Sequence, residues 1–212
     1  MKSIGNNKLM IIGILFITAI FVAIIGGVLI EAELELMINK ESFSVGTIIV
    51  GMILEFGNVL CVLVIGYLFI DYFDRKSNVS TIYFITRTIE ALVSLSAIVI
   101  VFLIILKDAN SQGIEAISNL QDSRIFLLNK GVPLMFAITA FVLYYGLFKV
   151  RFVPTYLVVW GYIGAVCILI LNYTNIPESI GMLFALPIIT NEIYLGVYLI
   201  IKNKKVKLII EE

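Results

Sequence analysis

Histidine is absent from this 212-residue sequence, which removes the usual imidazole ligands of zinc and iron and the commonest axial ligand of haem. Cysteine is nearly as scarce. Cys61 and Cys167 each fall inside an apolar run with no C-x-x-C spacing, so they read as small packing residues and not as metal or redox ligands. No cofactor is expected. Charge is also sparse, at 14% of positions with 15 Lys+Arg against 15 Asp+Glu, and nothing resembles the basic face of a nucleic-acid binder. Ser94 and Ser96 have no histidine to activate them, which leaves acyl-transfer chemistry without its nucleophile and base.

What is abundant is apolar surface. Hydrophobic residues make up 61% of the chain and the mean hydropathy is +1.08, well outside the range of soluble domains. Crossing the hydrocarbon of a bilayer takes roughly 20 apolar residues in a helix. Six such runs occur, at about 9–30, 45–70, 80–106, 126–150, 154–171 and 180–201. The expectation is an all-α integral membrane protein, a bundle of six transmembrane helices forming one domain over residues 1–212. The first run is too long for a signal-peptide core and meets Glu31 in place of a small-residue cleavage site, so it is expected to remain as a membrane helix.

The breaks between runs carry their own signals. Pro154 suits the first turn of a helix, and Pro187 is expected to kink the last one. Between Lys107 and Ser123, Ile114, Ile117 and Leu120 recur at helical spacing, which fits either a short helix lying on the membrane surface or a polar loop.

Lys and Arg distribute unevenly. One side collects Lys2, Lys8, Arg75, Lys76, Lys149, Arg151 and the four lysines between 202 and 207; the other has Lys40, Lys107, Arg124 and Lys130. The positive-inside rule then puts both termini in the cytoplasm. Tyrosines and Trp160 gather toward the cytoplasmic helix ends, as an interfacial belt does. A sharper reading turns Tyr83, Tyr145, Trp160 and Tyr194 inward to line a pocket.

Four ionisable residues interrupt the runs: Glu55, Arg87, Glu90 and Glu192. In hydrocarbon each must face the bundle interior, find a partner or lose its charge. They sit on stripes of small and polar residues at helical spacing: Gly51, Glu55, Asn58 and Gly66; Arg87, Glu90, Ser94 and Ala97; Gly181, Ala185, Glu192 and Gly196. From the rise per residue, Glu55 and Glu90 each lie about 15 Å from opposite faces and could meet at the midplane, while Arg87 and Glu192 have similar depth and could pair. Three carboxylates against one guanidinium leave two surplus negative charges, so Glu55 or Glu90 is expected to hold a proton.

The segments Arg87-Thr-Ile-Glu90-Ala-Leu, Tyr144-Tyr145-Gly-Leu-Phe, Arg151-Phe-Val-Pro154 with Trp160-Gly161, and Asn191-Glu192 through Tyr198 to Lys202 resemble the bacterial membrane family called domain of unknown function 4386. Tyr156 stands where that pattern has Trp. The resemblance implies a compact multi-helix protein of the bacterial plasma membrane and brings no assigned activity.

Three function classes follow. The leading one is binding or transport of a small molecule, lipid or proton through the buried Glu/Arg cluster, with Glu55, Asn58, Arg87, Glu90 and Glu192 as binding residues. The second is an accessory subunit that docks a membrane partner or a second copy through Ala19, Ala23 and Gly27 or through Gly161 and Ala165. The third is an enzyme using Glu55 and Glu90 as acid and base on a lipid-like substrate. The expected partners are the bilayer, a small-molecule or lipid ligand, and a membrane protein or second copy; nucleic acid is not one.

Overall fold

The computed structural model describes residues 7–73, 78–109, 114–174 and 176–211, with the backbone alone for 109, 114, 178–180, 182 and 204–211. Lys2, Arg75, Lys76 and the side chains of Lys204, Lys205 and Lys207, all counted in the charge bias, lie outside it.

All regular structure among the described residues is helical: α1 Lys8–Ile38, α2 Val45–Phe69, α3 Val79–Ala109, α4 Ile114–Phe126, α5 Val132–Lys149, α6 Thr155–Tyr173 and α7 Glu178–Glu211, with a π-helical turn Leu127–Gly131 between α4 and α5. Six of the helical stretches are long and apolar enough to cross a membrane, the fourth running from Glu115 to Lys149 through α4 and α5. Their outward faces carry large apolar side chains such as Phe21, Ile53 and Leu92, each more than half exposed. That is the surface a hydrocarbon solvent asks for.

The helix ends are set by local chemistry. Ser44 caps α2 by accepting from the Thr47 amide at 3.3 Å. Pro154 immediately precedes the first residue of α6. Lys40 and Arg151 take positive φ, at 60° and 50°. Each is followed by a residue whose N–H reaches back to the helix: Glu41 to the Leu36 carbonyl, and Phe152 to the Leu147 carbonyl, both at 2.9 Å. These are Schellman closures, and they turn the chain sharply into α2 and α6. α7 stays helical through Pro187.

The segment before α5 is a helix and not a loop, but it does not lie apart on a membrane surface. α4 runs on through the π turn into α5 and packs against α3, with Ile117, Gln121 and Arg124 buried on one side.

The six spanning stretches form a closed ring. Contacts run α1 to α2, α2 to α3, α3 to α5, α5 to α6, α6 to α7 and α7 back to α1, and α4 reaches across one end of the ring to touch α1. Close approach at the α1–α7 seam depends on Gly13 and Gly196: a Cβ on Gly196 would come to 2.8 Å from the Gly13 carbonyl oxygen. Side chains fill the ring unevenly. At the end where α1 begins, Phe69 stacks on Phe73 with centroids 5.3 Å apart, and Tyr83 meets both edge-on at 5.6 and 5.5 Å. These rings form an aromatic plug at that end. Near the other end, Ile30, Leu34, Ile48, Val101 and Ile117 form a separate apolar cluster joining α1 to α4.

Candidate functional site

Above the plug lies a partly open cavity of about 290 Å³, to which all six spanning stretches contribute. Its walls are mostly aliphatic, with Phe16 and Phe136 among them, and its polar lining is Asn58, Arg87, Glu90, Ser94, Asn172 and Glu192. Helical periodicity explains the convergence. Residues three, four and seven apart on α3 share one face, so Arg87, Glu90 and Ser94 all point to the axis.

Arg87 and Glu90 make a closed unit. Arg87 Nη1 donates to both Glu90 oxygens, at 3.0 and 3.1 Å, and Arg87 Nε donates to the Tyr83 hydroxyl at 2.9 Å. The guanidinium also lies 5.4 Å above the Tyr83 ring and 5.9 Å from that of Phe16. Both ion-pair partners are buried, so each is compensated by the other in a medium that would otherwise expel it. Thr139, without exposed surface, adjoins the same carboxylate.

Glu192 stands differently. It lines the cavity and feels the charges of Arg87 and Glu90, but among the described residues its carboxylate makes no hydrogen bond. The expected Arg87–Glu192 pair is therefore replaced by Arg87–Glu90, because a partner one turn along the same helix reaches the guanidinium first. Asn191, its neighbour in sequence, faces elsewhere: it accepts a short hydrogen bond from the Tyr144 hydroxyl and donates to the Leu157 carbonyl at 3.0 Å.

Of the residues expected to bind, Asn58, Arg87, Glu90 and Glu192 come together and Glu55 does not. Glu55 Oε1 accepts from Arg124 Nη2 at 2.7 Å. Arg124, with no exposed side-chain surface, also pairs with Glu31, and Gln121 donates to Glu31 at 2.8 Å. This second polar cluster, between α1, α2 and α4, escaped sequence reasoning because Arg124 and Glu31 were counted as loop charges. The signal was present: Ile117, Gln121 and Arg124 share one face of α4. Two buried guanidinium groups, not one, thus offset the interior carboxylates, and Glu55 and Glu90 do not meet as an acid and base pair.

None of the four aromatic residues expected to line a pocket borders this cavity, although Tyr194 borders a smaller pocket with Tyr198 and Lys202. Tyr83 is buried, but under the cavity floor in the plug. Tyr145 and Tyr194 are 51% and 44% exposed, turned outward by their place on the helix: two residues past Glu192 is a rotation of about 200°. Tyr194 instead accompanies Tyr156, with hydroxyls 3.1 Å apart, and Trp160 at a centroid distance of 6.0 Å.

The small-residue stripes proposed for docking lie mostly on inward faces, with Gly27 half-buried beside Glu55. Ala19 and Ala23 line the cavity, and Gly161 and Ala165 are buried.

At the far rim, Lys130 of the π turn donates to the Asn172 carbonyl, and the Tyr173 hydroxyl donates to the Lys130 carbonyl at 2.7 Å. These two bonds tie α5 to the end of α6 beside the Asn172 side chain.

Several of the motif residues noted in the sequence turn out to be neighbours: Tyr144 fits against Gly161 and binds Asn191, while Lys202 Nζ donates to the Phe152 carbonyl at 2.5 Å. The family model described as "Domain of unknown function (DUF4386)" matches residues 11–203. No curated protein and no solved structure matches the chain.

Proposed function

The chain belongs to the family described as Domain of unknown function (DUF4386), and we propose that this member binds a small molecule or lipid fragment in its central cavity, as a carrier or receptor. The observation that carries the reading is the Glu192 carboxylate, which faces a cavity built by every spanning stretch and has no hydrogen-bond partner among the described residues. A carboxylate that only joined helices would be bonded to one of them, as Glu90 and Glu55 are. Mostly apolar walls with a few converging polar groups are the usual design of a small-molecule site, and 290 Å³ is at the compact end of such sites. Ionisable groups inside a membrane commonly mark ligand or proton pathways, and Glu192 is the group here that is free to exchange a proton for a ligand.

The setting belongs to the same proposal: the plasma membrane of a bacterium, with both termini cytoplasmic. Burial of Arg124 removes it from the non-cytoplasmic charges, leaving Lys40, Lys107 and Lys130 there, which sharpens the positive-inside bias.

Native mass spectrometry from a mild detergent tests the reading, with wild type compared with Ala23→Trp, which fills the cavity from α1. A discrete extra mass on the wild type that is lost in the variant is the expected result. Bare protein in both, or the same adduct in both, overturns it.

A further inference from the structure

Resting on that reading, we infer that the ligand is an organic cation: an ammonium group on a compact apolar body, held by Glu192. The charge inventory of the cavity decides the sign. Arg87 is committed to Glu90 through Nη1 and to Tyr83 through Nε, so its charge is cancelled by its own helix neighbour. Among the described residues Glu192 is left as an acceptor without a donor, on α7, across the ring from α3. With both carboxylates ionised the cavity carries a net charge of −1. An incoming anion would meet the one uncompensated carboxylate, Glu192, beside a mutually neutralised Arg87–Glu90 pair, whereas a cation completes the balance.

The remaining lining agrees. Asn58, Ser94 and Asn172 offer carbonyl or hydroxyl oxygens as additional acceptors. Phe16 and Phe136 present aromatic rings to the cavity, and ring faces attract ammonium groups, more strongly where water is excluded. A bare metal ion fits poorly, because the described residues contain no cluster of ligands able to hold one. The aliphatic walls instead favour a ligand with its own apolar surface.

The test compares three probes of one shape, cyclohexylamine, cyclohexanol and cyclohexanecarboxylate, by the thermal shift each gives the full chain in detergent. Ala23→Trp is the cavity-blocked control that subtracts effects of probe in the micelle. For wild type, cyclohexylamine should stabilise at concentrations about tenfold lower than cyclohexanol, with the carboxylate inert. Glu192→Gln should bind the amine and the alcohol equally, and Glu192→Asp should keep the amine preference. Equal response of wild type to amine and alcohol, or preference for the carboxylate, overturns the cationic class while leaving the cavity as a binding site. If no probe shifts wild type more than Ala23→Trp, the cavity reading falls with it.

Discussion

Arg124 and Glu55, 69 residues apart, meet at 2.7 Å inside the helix bundle, with no exposed side-chain surface on the arginine. The contact fastens α4 to α2, and the charge pair of Arg124 with Glu31 fastens it to α1. A guanidinium with five donors can hold two carboxylates at once, which a lysine cannot match in geometry.

Removing it should therefore be costly. Arg124→Leu leaves Glu31 and Glu55 facing each other without a counter-ion, and breaking one side of a buried pair typically costs about 3–5 kcal/mol. Equilibrium unfolding in mixed micelles should show that loss, and Arg124→Leu combined with Glu31→Gln and Glu55→Gln should recover a large part of it. A triple variant no more stable than the single one would mean that packing, not charge, holds α4.

Glu90 and Glu192, facing one cavity, should respond oppositely to the same substitution. Glu90→Gln leaves Arg87 buried with its Nη1 bonds weakened, and should lose about 3 kcal/mol or more. Glu192→Gln breaks no hydrogen bond and should stay within about 1 kcal/mol of wild type. Unfolding curves of the two variants under one condition check this, and similar losses would show that Glu192 is structural.

The spans and their inward stripes were legible because a 3.6-residue period and an uncharged run of sufficient length are properties of one helix at a time. Partner choice was not. Glu55 and Asn58 are three residues apart on α2, which amounts to a rise of about 4.5 Å and a turn of about 60°. That offset suffices to put Asn58 in the cavity and Glu55 against α1 and α4. It depends on ring order, which no single helix encodes. Arg124 was misplaced for a related reason: the 13 residues of α4 are too polar on average to read as membrane-embedded, and only docking against α1, α2 and α3 gives its charged side an interior to face.

The proposed orientation in the membrane rests on charge placement and can be tested chemically. In a Cys61→Ser, Cys167→Ser background, an impermeant maleimide added to intact cells should label a Ser42→Cys variant, in the exposed α1–α2 connection. It should leave a Lys149→Cys variant, at the end of α5, unlabelled until the membrane is opened. Both positions are exposed, so accessibility differs only by side. The reverse pattern would place both termini outside.

Tyr144 and Gly161 show how tightly the α5–α6 seam is specified. A Cβ on Gly161 would clash with the Tyr144 ring, most closely at Cζ. That ring cannot swing away cheaply, since it is buried, its hydroxyl is held by Asn191, and Tyr162 packs against it at 6.0 Å. Gly161→Ala should therefore push α6 off α5 and cost about 1–3 kcal/mol, the usual range for an overpacked core. Gly57→Ala on α2 is the matched control, because nothing lies within 4 Å of its Cβ position; relief of glycine's backbone freedom should make it neutral or stabilising by up to about 1 kcal/mol. Tyr144→Phe in the Gly161→Ala background frees the ring from Asn191 and should lessen the added penalty, so that a double-mutant cycle gives a coupling above about 0.5 kcal/mol. Additive behaviour would mean that the ring is held by packing alone and that the hydrogen bond to Asn191 has no part in fixing the seam.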